Sequence, residues 1–158
     1  IVVRTLRYGG EYILIEDFFR LVHWGNTGAA WSLFRDNNVA LLIVAIVALT
    51  ILFLLRRHFG AETRLGQIAL GLMFGGIVGN IIDRVRHDHV VDFLYFYVQR
   101  RSGQEIGFPA FNVADSAICV GVGLLFVLSW QADAAAAAAL TEARPEEAAA
   151  SEADSSRR

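Results

Sequence analysis

Acidic side chains stand at two places in this sequence where an apolar run would tolerate none. Gly79-Asn80-Ile81-Ile82-Asp83-Arg84 closes one such run, and Phe108-Pro109-Ala110-Phe111-Asn112-Val113-Ala114-Asp115-Ser116 opens the next. Both carry the spacing Asn-x-x-Asp, and a third acid, Asp92, lies in the link between them. Residues three and four apart share a helix face, so this spacing sets Asn80 beside Asp83 and Arg84, and Asn112 beside Asp115 and Ser116. A charged side chain at membrane depth costs about 2.5–3.5 kcal/mol on insertion scales, which marks these acids as functional by default. Two carboxylates held close together cannot both ionise easily. They share a proton, so that one acts as base toward water while the other hydrogen-bonds a carbonyl. Such a pair hydrolyses without a covalent intermediate, and its titration belongs to the pair rather than to either residue.

The elements that must position these acids follow from composition. Of 158 residues, 55% are hydrophobic and only 19% charged, with mean hydropathy +0.45, which fits one membrane domain better than a soluble one. Three apolar runs, at about residues 39–55, 65–83 and 108–130, each approach the roughly 20 residues that cross a bilayer core. Pro109 suits the first turn of the third. Gly71, Gly75 and Gly79 form a small-residue ladder on the second, suited to close helix packing. The short basic loop Arg56-Arg57-His58-Phe59-Gly60-Ala61-Glu62-Thr63-Arg64 reads as cytoplasmic by the positive-inside rule. The opposite link holds Arg84, Arg86, Arg100 and Arg101, so charge counting alone does not separate the two orientations.

Before the first run, Val2, Leu6, Tyr8, Tyr12, Leu14 and Phe18 fall on even positions, an alternation that predicts short strands with Gly9-Gly10 as a turn. The sequence opens on Ile1-Val2-Val3-Arg4, without an initiator Met or an apolar leader, and is expected to begin further upstream. Residues 131–158 are rich in Ala, Glu and Ser and read as a disordered tail, although the alanines could prolong the last helix. The fold expected is a membrane all-α bundle with a small β element. A net charge of -2 and pI near 6.1 give no support to nucleic-acid binding. The single cysteine, Cys119, allows neither an internal disulfide nor a thiolate metal site, and reads as a buried packing residue. His87-Asp88-His89 lacks further ligands for a metal. His23 and His58 read as surface or interface residues, and Trp24, Trp31 and Trp130 as an interfacial aromatic belt.

Four blocks, Asn26-Thr27-Gly28-Ala29-Ala30-Trp31-Ser32, Gly79-Asn80-Ile81-Ile82-Asp83-Arg84, His89-Val90-Val91-Asp92-Phe93 and Phe108-Pro109-Ala110-Phe111-Asn112-Val113-Ala114-Asp115-Ser116-Ala117, resemble in order and spacing those of lipoprotein signal peptidase, also called signal peptidase II. The similarity runs from about residue 2 to residue 130. It implies a bacterial inner-membrane, multi-pass aspartyl endopeptidase that cuts signal peptides from diacylglyceryl-modified prolipoproteins just before the lipidated cysteine. The resemblance implies Asp92 and Asp115 as the catalytic pair. Asn26, Asn80, Asp83, Arg84, Asn112 and Ala114 fall at the family's supporting positions around substrate and dyad. No cofactor or metal is implied, and the partners are lipidated prolipoproteins and membrane lipid. An extracytoplasmic β-cradle and loop would occupy residues 1–38, the catalytic bundle 39–130 and a cytoplasmic tail 131–158, with the acids facing outward. The family's first transmembrane helix, with its Asp-Gln-x-x-Lys type motif, has no counterpart here, so three of four spans are expected and the chain's ends lie on opposite sides. Two rivals come from other classes. A proton-coupled transporter would spread its acids through the bilayer depth, and a non-catalytic assembly subunit would use the glycine ladder. Acids clustered at one face favour surface chemistry.

Overall fold

The computed structural model describes residues 2–28 and 37–155, with side-chain environments as far as Ala137. In chain order the elements are α1 (Val2–Thr5), β1 (Glu11–Ile15), β2 (Phe19–Asn26), α2 (Asn38–Leu55), α3 (Arg64–His87), β3 (Val90–Gln99), β4 (Glu105–Gly107) and α4 (Val113–Ser155). Among the described residues three stretches, Asn38–Leu55, Arg64–His87 and Val113–Ala137, are long and apolar enough to cross a membrane. Their ends are set by side chains that satisfy the free backbone N–H groups of a first turn. Asn37 Oδ1 accepts from Ala40 N at 3.0 Å at the start of α2, and Thr63 Oγ1 accepts from Gly66 N at 3.0 Å at the start of α3. Arg84, Arg86 and His87 in the last turn of α3 suit the negative end of its dipole. That helix stops at Asp88, which takes a left-handed conformation (φ 63°) while its N–H bonds Arg84 O.

α3 packs against both α4 and α2, and more extensively against α4. The approach to α4 rests on absent side chains. A Cβ on Gly76 would fall against the Ala114 carbonyl oxygen, one on Gly79 would lie 3.3 Å from Ala114 Cβ, and one on Gly121 would lie 2.7 Å from Ala69 O. Of the expected glycine ladder only Gly79 is therefore at the helix contact. Gly71 and Gly75 have nothing within 4 Å, and Gly76 is the close-packed position instead.

The sheet is antiparallel with strand order β1-β2-β3-β4. β1 and β2 form a hairpin, and β2 pairs with β3 across the long intervening segment, with Leu21 opposite Leu94 and Trp24 opposite Asp92 on either side of a bulge. Arg20 ties all four strands together. Its guanidinium lies over the rings of Tyr95 (4.9 Å) and Tyr97 (4.4 Å), its Nη2 donates to Glu105 Oε1 at 2.7 Å, and its Nε is 3.3 Å from Glu11 Oε2.

Several expectations need correction. The architecture is mixed rather than all-α, because half of the sheet comes from residues 90–107, which read as a link between spans. The β3 sequence Val-Val-Asp-Phe-Leu-Tyr-Phe-Tyr-Val-Gln is apolar at nearly every position and shows no period of two. Residues Val2–Thr5 form a helical turn, not the start of a strand. The third span begins at Val113, not at 108: Phe108 N donates to Phe96 O at 2.9 Å and Phe111 N to Leu94 O at 3.1 Å, so Pro109 lies in an extended segment laid along β3. Cys119 is exposed, since much of α4 faces what would be lipid. Helix α4 runs on through the alanines after Gln131 to Ser155, in keeping with the helix propensity of Ala. Ala29, Ala30, Trp31 and Ser32 of the first block lie outside the described residues.

Candidate active site

Where α3, β3 and α4 meet, two carboxylates are wired together by asparagine amides. Asp92, on β3 and only 4% exposed, accepts from Asn26 Nδ2 (2.9 Å) at one oxygen and from Asn112 Nδ2 (3.0 Å) at the other. Asp115, in the first turn of α4, accepts from Asn80 Nδ2 at 2.8 Å and from Asn112 N at 3.3 Å. Asn112 in turn takes the Asp115 N–H on its own Oδ1 at 3.0 Å. That reciprocal pair is a capping box, so the device that starts α4 also orients the Asp115 carboxylate. Asn112 thus touches both acids, one through its side chain and one through its backbone. Burial pushes Asp92 up to about 6, and the nearby Asp115 charge adds to this; the hydrogen bonds from Asn26 and Asn112, and the Arg84 charge, act in the opposite direction.

The two Asn-x-x-Asp motifs do not act as separate amide–acid pairs. Asn80 reaches across to Asp115 on α4, while Asp83 turns to the backbone and accepts from Val91 N at 3.2 Å. Asp83 thereby fixes the residue next to Asp92. Arg84 is 9% exposed, and its Nη2 donates to Gly28 O at 3.1 Å while its buried Nη1 meets no hydrogen-bond partner among the described residues. Asn26 Oδ1 accepts from Gly28 N at 3.0 Å, so the loop after β2 is held from both sides. Ala114 is the small residue on which Gly76 and Gly79 pack. A cleft of about 280 Å³ opens beside Asp92, lined by Trp24, Asn26, Thr27, Gly28 and Ala110 among others. A larger space of about 890 Å³, between α2, α3 and α4 at the basic-loop end, is mostly apolar and far from the acids.

Of the residues singled out from sequence, Asn26, Asn80, Asp92, Asn112 and Asp115 come into direct contact, and Asp83 and Arg84 stand one layer behind. Sequence reasoning missed Asn38, whose Nδ2 donates to Arg84 O at 3.1 Å and links α2 to the end of α3. It also missed Gly76, hidden beside a more regular glycine spacing. Replacing Asp83 by Ala leaves the Val91 N–H without its acceptor and is expected to cost about 1–3 kcal/mol. Asp83→Asn keeps an acceptor oxygen and should cost much less. Thermal unfolding in detergent compares the two, and equal loss in both would contradict this role.

Residues 1–131 match a family model described as signal peptidase (SPase) II. A lipoprotein signal peptidase of Bacillus pumilus is 37% identical over 128 residues, covering 80% of this chain and 79% of its own. One from Symbiobacterium thermophilum is 41% identical over 128 residues, covering 80% of each. A bacterial membrane enzyme solved by the in meso method at 1.9 Å resolution superposes with a TM-score of 0.65 at 31% identity, covering 80% of this chain and 79% of its own.

Proposed function

Because the chain belongs to the signal peptidase II family, we propose that this multi-pass membrane protein is an aspartyl endopeptidase. It removes signal peptides from diacylglyceryl-modified prolipoproteins, cutting before the lipidated cysteine. The observation that carries the reading is the pair of carboxylates, one from a strand and one from a helix, joined through Asn112. In this mechanism Asp92 holds the shared proton and donates it in a hydrogen bond to the scissile carbonyl, while Asp115 takes a proton from the attacking water. The tetrahedral intermediate collapses as that proton passes to the leaving amide nitrogen. Asn26 and Asn80 each hold one carboxylate in place, so little reorganisation is needed when charge moves. Asp83 and Arg84 support from behind, the first through the backbone beside Asp92 and the second through the Gly28 loop.

The placement fits a lipid-anchored substrate. Asp115 lies in the first turn of a membrane-length helix, so the dyad is at the bilayer surface, where the bond next to a lipidated residue must lie. The membrane is the bacterial inner membrane, with the dyad on the extracytoplasmic side and the basic 56–64 loop and the tail on the cytoplasmic side. The direct test incubates purified protein in detergent with a lipidated precursor peptide and its unlipidated form. A single cut before the modified cysteine, absent from the unlipidated peptide, is expected. A folded protein that cuts neither would overturn the reading.

The pH dependence has a definite sign. With Asp92 raised to about 6, the folded protein keeps a proton there that the unfolded chain releases near 3.8. The site is therefore most favoured below that range and loses stability as pH rises through about 6. The same rise removes the proton that the mechanism needs, so kcat/KM is expected to fall as pH passes upward through about 6. Asn26→Ala removes a hydrogen bond that favours the ionised form and should move this limb to higher pH. A profile that is flat, or that moves to lower pH, would contradict the assignment of the proton to Asp92.

A further inference from the structure

Small residues make much of the cleft beside Asp92. Gly25, Gly28 and Ala110 line it, and among the described residues around it the one large side chain is Trp24, 37% exposed. Trp24 stands directly opposite Asp92 in the pairing of β2 with β3. Side chains so placed have Cβ atoms about 4.5–5.5 Å apart, so a group hydrogen-bonded to Asp92 comes within contact distance of the indole.

The indole is not free to swing away. Phe93 N and Leu94 N both donate to Phe111 O (3.0 and 2.8 Å), a bulge that interrupts the alternation of β3, and Tyr95 packs on Trp24 with 4.8 Å between ring centroids. Tyr95 is itself held. Its hydroxyl donates at 3.0 Å to Glu105 Oε1, the oxygen that also accepts from Arg20 Nη2, and it fills the space over Gly107, where a Cβ would fall against it. The Arg20 guanidinium covers the Tyr95 ring at 4.9 Å, and Tyr97 stacks beside it at 5.8 Å. The backbone next to Trp24 is confined as well, since a Cβ on Gly25 would lie 2.6 Å from Tyr8 Oη and 2.8 Å from His89 Cδ2. A side chain backed in this way keeps one position when something presses on it.

We propose that Trp24 determines specificity: it limits the size of the substrate residue that carries the scissile carbonyl. A small residue is accepted immediately before the lipidated cysteine, and a large branched one is turned away. This role rests on the proposed hydrolysis, in which Asp92 hydrogen-bonds that carbonyl. The carbonyl carbon is bonded to the Cα of its own residue, so the side chain of that residue must enter the space between Asp92, Trp24 and the glycines. An alanine methyl passes beside the indole, whereas a leucine side chain meets a wall that does not give.

The test compares two lipidated precursor peptides, with Ala or Leu immediately before the modified cysteine. For the unaltered protein kcat/KM is expected to favour the Ala peptide by about 10- to 200-fold, the discrimination that a close-fitting apolar wall supplies. Trp24→Ala should raise cleavage of the Leu peptide at least about tenfold with little change for the Ala peptide, and Trp24→Phe should restore most of the preference. A merely structural role for Trp24 would slow both peptides alike and leave their ratio unchanged. Equal cleavage of the two peptides by the unaltered protein, or a folded Trp24→Ala that keeps the preference, would overturn the proposal. Cleavage of neither peptide counts against the hydrolytic reading instead, and binding then decides the role of Trp24. With Trp31 and Trp130 changed to Phe in Asp115→Asn, Trp24 is the sole tryptophan. The Ala precursor is expected to shield its fluorescence from aqueous iodide, and the Leu precursor at equal concentration to leave it quenched. Equal quenching with the two precursors, whether both shield the indole or neither does, would remove Trp24 as the wall.

Discussion

Asp115→Asn is expected to lower precursor cleavage by about 100- to 10,000-fold, the range that a positioned acid or base contributes, and Asp92→Asn to do the same. The change is nearly isosteric. At Asp115 the new amide can still accept from one of its two donors, Asn80 Nδ2 or Asn112 N, and Asn80 can turn its own amide to suit the other. The fold should therefore hold, and the lipidated precursor should still bind. What is lost is the group that exchanges a proton with water or carbonyl. Asp83→Asn makes the contrast, because the Asp83 carboxylate faces the Val91 N–H and need only accept a hydrogen bond. The measurement is precursor cleavage by each variant at matched expression and thermal stability. Normal cleavage by Asp115→Asn, or an inactive but stably folded Asp83→Asn, would require Asp83 to take one of the two roles.

The difference between these acids was only partly legible in the sequence. Spacing put Asn80 beside Asp83 and Asn112 beside Asp115, as though each motif were self-contained. In the fold the second motif is indeed local, because it caps α4, but the first splits, with Asn80 crossing to another helix and Asp83 turning to a strand. Local periodicity cannot report a contact between residues 35 positions apart. The membrane-length helices were legible for the opposite reason, since an unbroken apolar run needs no partner to declare itself. β3 shows the same run of apolar residues without the length, and it looked like a link until its pairing with β2 and with Phe111 placed it. Cys119 read as buried under soluble-protein rules. On a helix that faces lipid, apolar residues are exposed as a matter of course.

Gly76→Ala is expected to disrupt the contact of α3 with α4. The new Cβ would fall against the Ala114 carbonyl oxygen and 2.6 Å from Ile118 Cγ1. A side chain such as Ile118 can rotate away, whereas a backbone oxygen moves only if α4 moves. Overpacking of this kind costs about 1–3 kcal/mol. The site feels it directly, because Asn80 lies one turn beyond Gly76 on α3 and its 2.8 Å bond to Asp115 spans the same helix contact. A displacement of about 1 Å in a reacting group can cost about 100-fold in rate, so cleavage should fall further than the stability loss alone explains. Gly75→Ala is the matched control. It adds the same methyl group one residue away, where nothing lies within 4 Å, and it replaces a flexible helix residue by a rigid one. It should be neutral, or stabilising by about 0.5–1 kcal/mol. Thermal unfolding and cleavage at one temperature, measured for both variants, decide the matter. If Gly76→Ala unfolded and cleaved like Gly75→Ala, the close contact of α3 with α4 could not be what sets the distance between Asn80 and Asp115.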